Sequence, residues 1–134
     1  MVLQSLTGLP GFLAYLCLSL VAVILYLWIY TRITPYQEYE LIAKNVAGAA
    51  IALGLSLLGF ALPVASAVAH SADIVDCAIW SVIALIVQVI VFYAAHIPVP
   101  NLDQRIAAGE IAPALWLGFA SLTAGLLSAA SMTL

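Results

Sequence analysis

Residues 45–66 read NVAGAAIALGLSLLGFALPVAS, and a similar pattern, EIAPALWLGFASLTAGLLSAAS, returns at residues 110–131. Neither segment has a charged side chain after its first residue. Each is long enough to cross the roughly 30 Å hydrocarbon layer of a bilayer, which takes about 20 helical residues. When the second segment is displaced by 65 positions, seven of the 22 aligned residues are identical. We therefore expect two copies of one membrane hairpin, spanning about residues 10–70 and 73–134.

The composition indicates an integral membrane protein. The 134 residues are 66% hydrophobic and 7% charged, whereas soluble domains are roughly 45–50% apolar and about 25% charged. The charged side chains lie in three short clusters, at residues 32–44, 73–76 and 103–110. The uncharged intervals predict transmembrane helices over about 12–30, 45–69, 77–95 and 111–133. The expected fold is an all-α membrane protein with four transmembrane helices, arranged as two parallel two-helix repeats in one integral membrane domain, residues 1–134.

The charges also predict an orientation. Arg32, Lys44 and Arg105 all fall in the first and third connections, whereas only Asp73 and Asp76 occupy the second. Because basic residues favour the cytoplasmic side of a membrane, we expect the connections 31–44 and 97–110 to be cytoplasmic and both termini to lie outside. Since residues 1–31 contain no Lys or Arg, they lack the basic start of a signal peptide, and we expect the first helix to be retained.

Several classes of function are disfavoured. Three basic residues cannot form a phosphate-binding surface, so we expect no nucleic-acid partner. Cys17 and Cys77 have no spacing typical of a metal site; we expect them to fill the core as free thiols, with a disulfide between them as the alternative. No nucleophile, base and orienting group can be assembled. We therefore expect no enzyme activity, cofactor or bound metal.

Helix-start signals precede both repeated segments. Thr34, Pro35 and Gln37 match an N-cap, a first-turn proline and the third position of a capping box. Asn101 and Gln104 repeat the signal before the second copy. We expect both pairs to cap short interfacial turns.

Aromatic residues mark where helices should leave the lipid. Tyr26, Trp28 and Tyr30 close the first helix, and Phe92 and Tyr93 lie near the end of the third. Such side chains concentrate at the membrane–water interface, so we expect these five rings to lie there.

One side of the second helix is built from small residues. At 100° per residue, five of them fall within an arc of about 60°: Ala47, Ala50, Gly54, Ala61 and Ala65. Small residues allow helices in lipid to approach closely. We expect this small-residue face to pack against a helix and to support a homo-oligomer. A dimer is the first oligomeric state that we expect.

Polar residues on the other side of the same helix form a second candidate feature. Asn45 and Ser56 share this side with Pro63, which should kink the helix and leave the carbonyl of Gly59 without its helical partner. The second copy carries Glu110, Ser121 and Ser128. With Gln88 of the third helix, the candidate polar path is Asn45, Ser56, Gln88, Glu110, Ser121 and Ser128.

Each of these polar residues also has a structural interpretation. The serines can bond to carbonyls of their own helix, and Glu110 can stabilise a helix N-terminus. Gln88 is expected to bond to another helix rather than to select an ion. His70, Asp73 and Asp76 form an outer polar cluster with a spacing that suits a metal or a proton relay, although an exposed turn capped by aspartate explains them more simply.

The motif around these positions resembles a known family. Lys44-Asn45-Val46-Ala47-Gly48-Ala49 and Gly109-Glu110-Ile111-Ala112-Pro113-Ala114 look like the repeated motif of the YjfL-like bacterial inner-membrane proteins, the family called domain of unknown function 350. The resemblance covers about residues 10–133. It departs at Glu110, where an amide is expected. It implies a multi-pass protein of the bacterial inner (plasma) membrane and brings no established activity.

Two functions remain in competition. The first is a membrane partner or scaffold that oligomerises through the small-residue face and binds envelope or stress-response proteins. The alternative is an oligomeric channel or transporter for an ion or small solute, with Glu110 at its cytoplasmic mouth.

Overall fold

The computed structural model describes residues 6–34 and 38–132, apart from the side chain of Glu38. Its numbered helices are α1 (Leu9–Ile33), α2 (Glu38–Ala43), α3 (Ala47–His70), α4 (Ile74–Ala95), α5 (Leu102–Ala107) and α6 (Ile111–Ser131), and this part of the chain contains no strand. By length and composition, α1, α3, α4 and α6 can each cross a membrane. The predicted all-α membrane fold with four spanning helices is confirmed.

The helix bounds differ from the predicted ones by a few residues. α1 is longer at both ends than the expected 12–30. α4 begins three residues early because the Asp73 carboxylate caps it, accepting a hydrogen bond from the Asp76 N–H at 2.8 Å. α3 begins two residues late, since Asn45 has a left-handed φ of 65° that helices do not use.

The predicted capping signals have different outcomes. Pro35 and Gln37 lie outside the described residues, as does Thr133 at the predicted end of the last helix. Asn101 does precede α5, but it has a φ of 57° and its side chain makes no cap hydrogen bond. The capping box expected between Asn101 and Gln104 is therefore wrong.

α3 and α6 form the centre of the bundle. They run parallel, since Gly48 at the start of α3 lies against Glu110 at the start of α6, and Ser66 near the end of α3 donates to the Ala129 carbonyl at 2.9 Å. A Cβ on Gly125 would stand 1.9 Å from the Gly59 carbonyl oxygen. Only glycine permits this approach, so the two backbones touch in mid-membrane.

α1 and α4 flank this pair. α4 inserts one side between them, with Ala84 and Gln88 buried, whereas α1 buries only Tyr26 and Tyr30. Tyr26 stacks on Phe60 of α3, with 4.6 Å between ring centroids. The fully buried side chains of α1 thus lie in the half that ends at Ile33, whereas residues such as Ser19 and Ala22 in its other half are only half-buried.

Three of the five aromatic rings expected at the interface lie inside the bundle, and the depth of all five in the membrane stays a prediction. Tyr26, Tyr30 and Phe92 are buried in the core, whereas Trp28 and Tyr93 are exposed. Tyr30 and Phe92 pack edge to face with centroids 5.5 Å apart. These rings fill the space between α1 and the bundle, which the smaller residues of α3 would leave empty.

The turns before α3 and α6 make the same three hydrogen bonds. In the first, residues 44, 45 and 46 donate to the carbonyls of residues 40, 42 and 41; residues 108, 109 and 110 donate to those of 104, 106 and 105. Asn45 and Gly109 occupy the same left-handed position, with φ of 65° and 93°. By backbone conformation the partner of Asn45 is therefore Gly109, not Glu110 as the sequence alignment had it.

Candidate functional site

The central polar feature is the amide of Gln88, which α4 carries into the contact between α3 and α6. Gln88 is 3% exposed. Its Nε2 donates to the Gly59 carbonyl at 3.1 Å and to the Ser121 carbonyl at 3.2 Å. The Ser121 hydroxyl donates in turn to Gln88 Oε1. One side chain thus ties three helices together, and the interhelical hydrogen bond expected of Gln88 is present.

Pro63 explains why the Gly59 carbonyl needs this partner. In a helix, the carbonyl of residue 59 accepts from the N–H of residue 63, and proline has none. An unpaired carbonyl in hydrocarbon costs several kcal/mol. Gln88 therefore satisfies the acceptor that Pro63 leaves open.

The fourth spanning helix reaches the same cluster through Tyr26. The Tyr26 side chain lies close to the side chains of Ser121 and Ser56, and the Ser121 hydroxyl also lies 3.4 Å from the Ser56 carbonyl. We call Tyr26, Ser56, Gln88 and Ser121 the central polar cluster. All four side chains are buried, and each of the spanning helices supplies one.

The central polar cluster is closed. The cavity beside it, lined by Tyr26, Tyr30, Gln88 and Phe92 among others, has a volume of about 10 Å³. That is about the space of a single water molecule. The close contact of Gly59 with Gly125 and the stacked rings of Tyr26 and Phe60 fill the bundle around the cluster. The described part of one chain therefore holds its polar groups in a packed core and offers no solute-sized passage.

The remaining residues of the candidate polar path lie away from this cluster. Asn45 is exposed in the turn before α3. Glu110 precedes α6 without a side-chain cap bond, and its exposed carboxylate pairs with Arg105 at 3.1 Å. Ser128 lies in an open crevice of about 380 Å³ between α4 and α6. Ser56, Gln88 and Ser121 are brought together, but the six residues do not form one path within a chain.

The small-residue face is not where the helices of one chain meet. Ala47, Ala50, Gly54 and Ala65 are exposed and Ala61 is half-buried. The contact with α6 instead uses the opposite side of α3, which includes Gly48, Ser56, Gly59 and Pro63. As a contact inside the chain the expectation is wrong, because both sides of α3 carry small residues and the sequence alone could not rank them. As a contact between copies it stays a prediction.

The outer polar cluster makes only local hydrogen bonds. His70 Nδ1 lies 3.0 Å from the Ser66 carbonyl, and Asp76 accepts from the Ala72 N–H at 3.1 Å. With the Asp73 cap, these side chains hold the turn between α3 and α4. Within residues 6–34 and 38–132 no three potential metal ligands are grouped. Both cysteines are free thiols, but the expected core position is correct only for Cys77, which is buried, and wrong for Cys17, which is exposed.

The sequence analysis did not predict the contact between His96 and Asp103. His96 Nε2 lies 3.0 Å from Asp103 Oδ2, and His96 Nδ1 lies 2.7 Å from the Phe92 carbonyl. The pair fastens α5 to the end of α4. Trp116 of α6 adds a bond from Nε1 to the Ala95 carbonyl at 2.9 Å. His96 and Asp103 are seven residues apart, but the two prolines between them interrupt the helix. Helical periodicity therefore could not predict this contact.

Comparison with known proteins supports the resemblance noted in the sequence. The family model described as Domain of Unknown Function (DUF350) matches residues 4–132. The UPF0719 inner membrane protein YjfL of Escherichia coli K12 is 36% identical over 131 residues, covering 98% of this chain and 99% of the relative. Its counterpart in Escherichia coli O157:H7 matches equally. No solved structure matches the chain. The chain therefore belongs to the DUF350 family, as a multi-pass inner-membrane protein with four spanning helices.

Proposed function

We propose that this protein is a membrane scaffold that assembles with further copies of itself and presents the assembly to other envelope proteins. The observation that carries the proposal is the open small-residue face of α3. Around Gly54, no heavy atom of the described residues lies within 4 Å of the position of a Cβ, leaving aside the local helix backbone. A helix in lipid gains most from close packing where its side chains are small, and four of the five residues of this face of α3 are exposed.

The closed interior supports a scaffold over a channel. Within the central polar cluster Gln88 and Ser121 are neutral and bond to each other and to the Gly59 carbonyl, and the Gly59–Gly125 contact leaves no space between α3 and α6. The channel alternative would need a path between copies, with Glu110 at its mouth. Arg105 lies 3.1 Å from that carboxylate, which weakens its attraction for a passing cation.

The proposal includes an orientation. Arg32, Lys44 and Arg105 lie at one end of the bundle, called the basic end, and Asp73 and Asp76 lie at the other, called the acidic end. The positive-inside rule favours a cytoplasmic basic end, with both termini outside.

The proposal also includes an internal duplication, with units of about 10–70 and 73–134. Its support is the matching order of long, short and long helix in each unit and the matching hydrogen bonds of the turns before α3 and α6. The last helix of each unit, α3 in the first and α6 in the second, then belongs to the parallel central pair.

The test compares two glycines that both have open surroundings. Gly54 lies on the small-residue face, whereas Gly11 lies on α1, in a crevice that Val68 of α3 also lines, and likewise has nothing within 4 Å of the position of a Cβ. Gly54→Leu should weaken self-association in lipid nanodiscs about tenfold, the effect of losing ~1.4 kcal/mol of packing. Gly11→Leu should leave it unchanged. Energy transfer between labelled copies measures both.

The same pair of variants tests the partner role. Envelope proteins that co-purify with the wild type from native membranes should be lost with Gly54→Leu and retained with Gly11→Leu. A wild type that is monomeric in both mild detergent and nanodiscs would refute the scaffold. Ion flux that Glu110→Gln alters would favour the channel.

A further inference from the structure

The ion pair between His96 and Asp103 joins the end of α4 to α5 through a ring that can gain or lose a charge. His96 Nε2 lies 3.0 Å from Asp103 Oδ2, and the two side chains are only 25% and 19% exposed. Among residues 6–34 and 38–132, no group makes an aligned hydrogen bond to Nε2 or to Asp103 Oδ1, and both atoms are buried. The attraction between the two side chains therefore depends on their charges.

The other ring nitrogen decides where a neutral His96 would carry its hydrogen. Nδ1 lies 2.7 Å from the Phe92 carbonyl, and because a carbonyl only accepts, Nδ1 is the donor. This carbonyl lies at a helix end, where the backbone N–H of His96 turns to Tyr93 instead. A neutral ring with its hydrogen on Nδ1 has a lone pair on Nε2, and that lone pair would face the carboxylate of Asp103. Only the doubly protonated ring suits both neighbours.

The other helices around this ring bring no competing charge to it. The Phe92 ring of α4 lies 4.6 Å away, and Tyr30 of α1 packs on the Phe92 ring rather than on the imidazole. α6 contributes the uncharged Trp116, which bonds to the last residue of α4. Arg105 of α5 and Glu110 before α6 pair with each other at 3.1 Å. In the described part of the chain, the ring has the carboxylate of α5 as its ionic partner.

We infer that His96 and Asp103 form a pH-sensitive clamp: a protonated His96 holds α5 against the end of α4, and loss of that proton releases α5. Histidine changes charge between about pH 5 and 8, whereas aspartate is ionised throughout this range. The clamp is therefore closed in mildly acidic solution and opens as the pH rises. Its opening uncovers Leu102 and Ile106 of α5, which are 1% and 0% exposed. The inference does not depend on self-association, because both side chains belong to one copy.

Hydrogen exchange of the full chain in lipid nanodiscs, at about pH 5.5 and about pH 8, tests the clamp. Each exchange rate is divided by the intrinsic rate of an unprotected amide at the same pH. The protection of α5 should fall about 3- to 10-fold between the two pH values, as expected for the loss of one charged contact. α2 is the internal control, because it is also six residues long and its ion pair, Glu40 with Lys44, contains no histidine. Its protection should stay the same.

The chain has two histidines, so His70→Gln is the matched control for His96→Gln. His70→Gln should keep the pH response of α5. His96→Gln and Asp103→Asn should each give α5 low protection at both pH values, as in the wild type at about pH 8. Equal protection of α5 in the wild type at both pH values would overturn the inference, and so would a pH response that survives Asp103→Asn. If added Zn²⁺ restores the protection of α5 at the higher pH, the pair binds a metal and the proton clamp is also overturned.

Discussion

Replacing Gln88 should destabilise the bundle through one identifiable carbonyl. Gln88→Leu keeps a side chain of similar size but removes both donors and the acceptor. The Gly59 carbonyl then has no partner, which costs about 1–3 kcal/mol. The Ser121 carbonyl keeps its own helical N–H, and the Ser121 hydroxyl can turn to the Ser56 carbonyl, 3.4 Å away. Losing the two bonds that Gln88 makes with the Ser121 carbonyl and the Ser121 hydroxyl should add about 0.6 kcal/mol each. The total cost of Gln88→Leu is then about 2–4 kcal/mol.

Pro63→Ala provides the critical comparison. This substitution restores an N–H that can donate to the Gly59 carbonyl within α3. In that background the carbonyl no longer depends on Gln88, so Gln88→Leu should cost only about 1 kcal/mol. The two substitutions are therefore expected to be coupled by at least ~1 kcal/mol, in the direction that each reduces the cost of the other.

Unfolding in bicelles by a denaturing detergent, followed through tryptophan fluorescence, measures the free energies of the two single variants and the double variant. Ile90→Ala is the control on the same helix, because Ile90 is 61% exposed to the lipid side and its change should stay within about 0.5 kcal/mol. If the cost of the double variant equals the sum of the two single costs to within about 0.5 kcal/mol, the link between Pro63, the Gly59 carbonyl and Gln88 is refuted.

Three other substitutions have defined outcomes. Gly125→Ala should lower the free energy of unfolding by about 3 kcal/mol, the upper part of the range for overpacking. The reason is that its Cβ would stand 1.9 Å from the Gly59 carbonyl oxygen. Asp103→Asn should remove the ion pair with His96 and raise hydrogen exchange throughout α5 with little change elsewhere. Glu110→Gln should change stability by at most about 1 kcal/mol, as is typical of an exposed ion pair, and leave liposome ion conductance at its wild-type value.

The first two of these substitutions have matched controls. Gly11→Ala, in open space on α1, should leave the unfolding free energy nearly unchanged beside Gly125→Ala. Lys44→Gln breaks an exposed pair with Glu40 in the other connection and should not alter exchange in α5. A Gly125→Ala protein as stable as the wild type would mean that α3 and α6 separate at no cost, contrary to the packing described.

Much of the fold follows from where charges are absent. A segment of about 20 uncharged residues has few structural options in a bilayer, since every backbone group must be paired within the segment. That constraint predicts the spanning helices without any knowledge of their contacts. It also predicts that Pro63 frees the Gly59 carbonyl, because this follows from covalent structure alone. What supplies the missing donor is a matter of packing, and only the structure identifies Gln88.

The choice of face on α3 shows what the sequence could not decide. In water, the apolar side of a helix faces the core, but in lipid both sides are apolar and hydropathy does not separate them. Gly54 and Gly59 are equivalent by composition, yet one is open and the other touches Gly125. The burial of Tyr26 and Tyr30 could not be predicted for a related reason. Their position near a helix end suggests the interface, but their rings fill a gap that depends on how α1 meets α3 and α4.

The central polar cluster has a consequence for how the protein meets membranes of different thickness. Its hydrogen bonds form at a single depth, and sliding any helix by one turn, about 5.4 Å, would break the bonds that this helix makes with the others. The helices therefore cannot adjust to a thinner or thicker bilayer by shifting past one another. They must tilt together, or the surrounding lipid must deform. In an assembly of such bundles, a change in bilayer thickness would therefore appear as a common tilt of all the spanning helices.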